Sequence, residues 1–198
     1  MKTFIQNKLI RAFTMIELVF VIVIVGILSA MIAPNFQRNS TREAADQIVS
    51  HIRYTQHLAM MDNKFDASNQ NWYKNRWDID LNTTSYSISC EQYKNDGSND
   101  GTKYASNPLA SNQPLNPTGT KELNVSKKYG VTVINNCSTN KIFFDNIGRP
   151  FDNNASATAP YSNLIKNNCT IVVSDGNVAN NIIIEMVPET GYAHIRSN

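Results

Sequence analysis

Residues Phe13 to Ala33 read FTMIELVFVIVIVGILSAMIA, an apolar run broken near its start by one carboxylate, Glu17. No other feature restricts the fold of this chain as strongly. The run is about long enough to span, since a bilayer core needs roughly 20 apolar residues. At the centre of a membrane helix an acidic side chain costs about 2.5–3.5 kcal/mol on insertion scales, so such a residue is usually functional and needs a partner. Just upstream, Met1 to Ala12 carries Lys2, Lys8 and Arg11 and no acid. Two ordinary readings fit part of this pattern. A secretory signal peptide accounts for the basic segment and offers Leu28-Ser29-Ala30 as a cleavage site, but an acid inside its apolar region argues against it. A plain membrane anchor accounts for the length and leaves Glu17 unexplained. The flanking charges help little with orientation, because Arg38 and Arg42 closely follow the run.

The basic segment followed by Phe13-Thr14-Met15-Ile16-Glu17-Leu18 resembles the prepilin leader of type IV pilins and type II secretion pseudopilins. The resemblance implies that a prepilin peptidase cuts between Ala12 and Phe13 and that the new amino terminus on Phe13 becomes methylated. It makes Glu17 the assembly residue and Pro34 the site of a helix kink. One position departs from the pattern: the family usually has Gly before the cut, and here it is Ala12. Alanine is small enough for a tight peptidase site, so processing is expected. Implied partners are other pseudopilins in a helical filament, with an inner-membrane platform protein and an assembly ATPase acting indirectly. The implied location is the inner membrane, single-pass, with the C-terminal domain in the periplasm. In a filament, Glu17 of one subunit would pair with the Phe13 ammonium of a neighbour, each charge removing the other's desolvation penalty.

These readings divide the chain into a leader (1–12), a transmembrane and assembly helix (13–33), an amphipathic periplasmic helix half (34–62) and a β-rich globular domain (63–198). The whole chain has a formal net charge of +2, and the leader holds three basic residues and no acid, so residues 13–198 stand at −1. Nothing in that balance demands nucleic acid. An apolar content of 41% supports a folded domain. Of the three cysteines, Cys90, Cys137 and Cys169, an oxidising compartment would pair two. Three pairings are open, with Cys137–Cys169 weakly favoured.

The fold class expected is α+β: a long N-terminal helix packed on an antiparallel β-domain. Thr41 to Met61 places Ala45, Ile48, Ile52, Thr55 and Ala59 at three- and four-residue steps, which marks one helical face. Ser40 or Thr41 is the expected cap after Pro34, with Glu43 in an early turn. Helix from Thr14 to Met61 would be roughly 70 Å long at about 1.5 Å per residue. Strands are expected at Trp77–Leu81 and Ser85–Cys90 as a hairpin, then at Tyr129–Ile134, Lys141–Asp145, Thr170–Ser174, Ile182–Val187 and Tyr192–Arg196. Lys94 to Thr120, rich in Asn, Ser, Gly and Pro, reads as a long loop. The segments Phe143 to Pro150 and Ile182 to Tyr192 resemble the Gly-Arg-Pro turn and closing hairpin of the type H and FimT-like minor pseudopilins.

Other constellations are weaker. Asp96, Ser98, Asp100 and Gly101 echo a calcium loop, but Asn107 stands where the bidentate carboxylate is needed. His51 and His57 fall on different helix faces. No hydrolase, zinc or phosphate-loop motif occurs, so no enzyme activity and no cofactor or metal is expected. Six Asn-x-Ser/Thr sites occur, and Asn82, Asn124 and Asn154 each have an acid two positions earlier. Chance predicts about half such a site among six, and some bacterial oligosaccharyltransferases require the acid, so these three are the candidate glycosylation sites. The alternative function is DNA binding by a FimT-like pilin, with Lys127, Lys128, Arg149, Lys166 and Arg196 as the candidate phosphate contacts. Their scatter in sequence favours a solvated surface instead.

Overall fold

The computed structural model describes residues 13–32, 39–137 and 139–196. They fall into two units divided at Arg38 and Asn39. Ala12 and Pro34, and with them the expected cut and kink, lie outside the described residues.

In the first unit, helix α1 runs Met15–Ile32. Its 18 residues make it about 27 Å long at 1.5 Å per residue, against a hydrocarbon core of about 30 Å. Among the described residues no helix is long and apolar enough to cross a membrane.

The second unit opens with α2, Ser40–Met61. Asn39, one residue before the expected caps, is the N-cap and accepts a hydrogen bond from the Arg42 amide at 2.9 Å. Glu43 in the first turn suits the positive end of the helix dipole. The stripe Ala45, Ile48, Ile52, Thr55 and Ala59 is buried as its spacing predicts, widened by Thr41, Ala44 and Val49. Three alanines on that face let the helix sit close to β-structure. The helix stops at Met61, where the Asp62 amide donates to the Leu58 carbonyl.

Two antiparallel sheets pack against α2. The strands of the first are β1 (Trp77–Leu81), β2 (Tyr86–Tyr93), β3 (Asn99–Tyr104), β7 (Lys141–Phe144) and β8 (Pro150–Phe151), in the order β3-β2-β1-β7-β8. Those of the second are β6 (Thr132–Asn135), β9 (Cys169–Ser174), β10 (Ile182–Met186) and β11 (Ala193–Ile195), in the order β11-β10-β9-β6. The helix packs on β1 and β7 of one sheet and on β9, β10 and β11 of the other. Strand alternation sends Trp77, Ile79 and Leu81 into the core that holds Ile48 and Ile52. Ile79 lies opposite Ile88, and both are fully buried. The α+β arrangement is therefore the one expected.

Two segments differ from expectation. The stretch read as a loop contains β3, the short β4 (Ser106–Asn107) and β5 (Ala110–Pro114). The side chains of β3 are all exposed, so no apolar alternation announces it; backbone pairing to β2 holds it. Tyr129 ends a short helix, α3 (Val125–Tyr129), instead of starting a strand. Asn124 caps α3, and Gly130 closes it in the left-handed conformation at φ 71°.

Cys137 and Cys169 form the disulfide, with Cα atoms 5.0 Å apart, and Cys90 is a free, buried thiol. The bridge joins residues 32 apart. Closing a loop of that size removes about 3.7 kcal/mol of unfolded-chain entropy. The double variant Cys137→Ala, Cys169→Ala should lose about that much stability, read from the urea midpoint of the full-length chain in detergent.

Candidate functional site

The start of α1 is built by its own sequence. Thr14 stands before the helix, and its Oγ1 accepts from the Glu17 amide at 3.3 Å while its carbonyl accepts from the same amide at 3.1 Å. Thr14 with Glu17 three residues on has the spacing of a capping box, which fixes where the helix begins. Glu17 thus lies in the first turn, where a negative charge is favoured. Every described side chain from Phe13 to Ser29 is exposed, including Phe13 at 78% and Met15 at 86%. A helix apolar on all faces is stable only when lipid or protein covers it.

Residues 7–33 match the family model described as the prokaryotic N-terminal methylation motif. The chain carries this motif. No curated protein and no solved structure matches the chain. The motif is typical of type IV pilins and pseudopilins and indicates a pilin-like substrate of a prepilin peptidase that assembles with other pilin subunits. It implies an N-terminal anchor in the inner membrane, and proteins that carry it are structural subunits, not enzymes.

Beyond the methylation motif, the two turns singled out in the sequence meet at one residue of α2. Gln56 Nε2 donates to the Gly148 carbonyl at 2.8 Å and to the Thr190 carbonyl at 2.9 Å. The Gly148-Arg149-Pro150 turn and the Pro188-Glu189-Thr190-Gly191 turn, from different sheets, are thereby tied to the helix. Asp145 sets the first turn, accepting from the Ile147 and Arg149 amides and from the Arg149 guanidinium at 2.8 Å. Nothing in sequence periodicity pointed to Gln56.

On the face of the first sheet away from α2, Asp78 is fully buried. Its two oxygens accept from Ser89 Oγ at 2.9 and 3.1 Å. Lys141 Nζ stands 4.0 Å away and binds Glu91 at 2.6 Å, and Glu91 also accepts from Tyr93. Burial raises the Asp78 pKa from 3.8 to about 7, opposed by Lys141 and Ser89. A carboxyl raised in the folded state binds its proton more tightly there than in the unfolded chain. Its contribution is present at low pH and is lost as pH rises from about 4 to 7. Asp78→Asn should therefore flatten the fall in melting temperature over that interval, measured by circular dichroism of the full-length chain.

The sequon asparagines lie in unlike settings. Asn82 is exposed in the β1–β2 turn, its Nδ2 donating to Asp80 at 3.3 Å. Asn124 is half-buried and uses its amide oxygen to cap α3 through the Lys127 amide. Asn154 is 1% exposed, and its Nδ2 donates to the Lys74 carbonyl. A glycan on that nitrogen does not fit the folded domain, which corrects the expectation for Asn154. Burial by a distant segment is invisible in a five-residue motif.

Four of the five basic candidates lie at separate features of the domain. Lys127 and Lys128 line a shallow cleft beside α3, Lys166 lines another beside the disulfide, and Arg149 is paired with Asp145. Asp96 holds its own turn through Ser98, and Asp100 pairs with Lys94 at 2.6 Å. Among the described residues no group of three or more His, Cys, Asp or Glu side chains is placed to hold a metal.

Proposed function

We propose that this chain is a minor pseudopilin, a structural subunit of a type II secretion-like pseudopilus or a related DNA-uptake machine. The single observation that carries the reading is α1: an apolar helix with all described side chains uncovered, one carboxylate in its first turn, and a methylation motif around it. Lipid covers such a helix before assembly, and neighbouring subunits cover it afterwards. Prepilin peptidase cuts after Ala12, Phe13 receives the methyl group, and Glu17 pairs with a neighbour's terminal amine. Pro34 would kink or break the helix, because it lacks a backbone donor. The disulfide and the β-domain suit the periplasm. Asn82 is the favoured glycan acceptor on exposure, with Asn124 second. The dispersion of the basic candidates gives DNA binding no comparable support.

Mass spectrometry of the chain from its native host tests the reading. The expected amino-terminal peptide begins at Phe13 and is 14 Da heavier than its sequence, the mass of about one methyl group on the amine. An intact Met1 terminus, or cleavage after Ala30, would sink it.

A further inference from the structure

At the C-terminal end of α2 a small cleft of about 60 Å³ opens between the helix end, β1 and the turn after β7. Three cations line it, Lys64, Arg76 and Arg149, against two carboxylates, Asp62 and Asp145. Both carboxylates are engaged. Asp62 binds Lys64 at 2.5 Å and accepts from Trp77 Nε1 at 3.0 Å. Asp145 binds Arg149 Nη2 and Nε through one oxygen, at 2.7 and 2.8 Å, and its other oxygen holds the turn.

Arg76 is left over. It is 5% exposed, and among the described residues no carboxylate lies within 4.0 Å of it. Its Nη2 donates to the Pro160 carbonyl at 2.5 Å, and its Nη1 reaches Asn154 Oδ1 at 3.4 Å. Its guanidinium stacks over the Phe151 ring at 3.7 Å, which fixes its plane. Burial lowers its pKa to about 10, with Asp145 opposing and Arg149 adding to the fall. Burying an ion without a matched counter-ion is costly, and an incoming carboxylate would lower that cost.

The rim of the cleft points to the kind of molecule that would carry it. Tyr161 lines the cleft, is 68% exposed and is stacked under Arg149 at 4.8 Å. Phe65, 61% exposed, stands edge-on to Trp72 at 5.1 Å. Arginines beside an exposed tyrosine are the residue types enriched in protein-binding hot spots.

We propose that this cleft docks a protein segment that places an Asp or Glu carboxylate on Arg76 and an apolar side chain against Tyr161. The partner carboxylate completes the charge balance that Asp62 and Asp145 leave one short. A guanidinium presents paired donors that match the two carboxylate oxygens.

The test uses the full-length ¹⁵N-labelled chain in detergent micelles and follows the Arg76 Nε–H signal, assigned by its disappearance in Arg76→Lys. Three probes are compared: acetyl-Phe-Glu-Leu-amide, acetyl-Phe-Gln-Leu-amide and sodium acetate. The Glu peptide is expected to shift the signal saturably, and the Gln peptide to bind about tenfold more weakly for loss of a charge-assisted bond. Acetate should also bind more weakly than the Glu peptide. Arg149→Gln releases Asp145 to compensate Arg76, so it should weaken the Glu peptide while leaving the far-ultraviolet spectrum unchanged. Equal binding of the Glu and Gln peptides overturns the proposal. So does acetate binding as tightly as the Glu peptide, which marks a free-anion site, or the absence of any shift.

Discussion

Glu17→Val is expected to yield a chain that is cut, and inserted at least as well, but is absent from filaments. Valine keeps the helix and removes the residue most costly to place in lipid, by about 2.5–3.5 kcal/mol at the bilayer centre. Insertion therefore improves, and a loss of assembly has to come from the missing carboxylate. Removing one partner of a desolvated pair costs about 3–5 kcal/mol, or a few hundredfold or more in the association constant of each contact. The first-turn placement of Glu17, fixed by the Thr14 cap, keeps the carboxylate at the end of α1 that follows Phe13. Immunoblots of sheared filaments, beside membrane fractions, measure the effect. Incorporation of the variant at the normal level would remove the pairing from the account.

Gly191→Val should have the largest effect on folding. Gly191 has φ 69°, and a Cβ there would lie 2.6 Å from the Gly148 carbonyl oxygen and 3.0 Å from Gln56 Nε2. The first obstacle is backbone and cannot swing aside. Strain in the left-handed region, the clash and the loss of the Gln56 bonds together cost on the order of 4 kcal/mol. Gly148 makes the comparison. It also has a positive φ, of 85°, but its added Cβ meets first the end of the Gln56 side chain, at 2.9 Å, which can move. Gly148→Ala should therefore cost clearly less than Gly191→Ala. Urea midpoints of the two alanine variants and of Gly191→Val would decide it, and equal losses at the two positions would refute the backbone-contact argument.

What the sequence revealed follows from the kind of force involved. The stripe from Ala45 to Ala59 is one-sided burial, which is periodic, and Trp77–Leu81 alternates apolar with acidic residues although both its faces are covered, so both were legible. β3 to β5 are held by backbone hydrogen bonds between exposed polar residues, which leave no hydrophobic period. For α3 a signal existed, Asn124 as cap and Gly130 as stop, but the alternation of Tyr129 to Ile134 competed with it. The methylation motif was readable because peptidase recognition and assembly both act on contiguous residues. The Arg76 cleft was not, because its walls come from segments as far apart as Ala59 and Tyr161. The 27 asparagines gain a structural use as well. Asn39, Asn69, Asn99, Asn116 and Asn177 each accept an amide hydrogen two or three residues on, which stiffens loops that lack apolar contacts.

The spare thiol has a consequence for biogenesis. If the domain is threaded in sequence order into an oxidising compartment, Cys90 and then Cys137 meet the oxidant before Cys169 does. The earliest bridge open to it joins Cys90 to Cys137, whereas the native one joins Cys137 to Cys169. Every molecule oxidised too soon must be reshuffled, by attack of the late-arriving Cys169 thiolate on the wrong bond. Burial of Cys90 at 1% exposure then ends the exchange, because burial lifts its pKa to about 11 and leaves almost no thiolate to reopen it. The fold thus acts as a ratchet on its own oxidation: pairing is reversible until the core closes over Cys90, and locked afterwards.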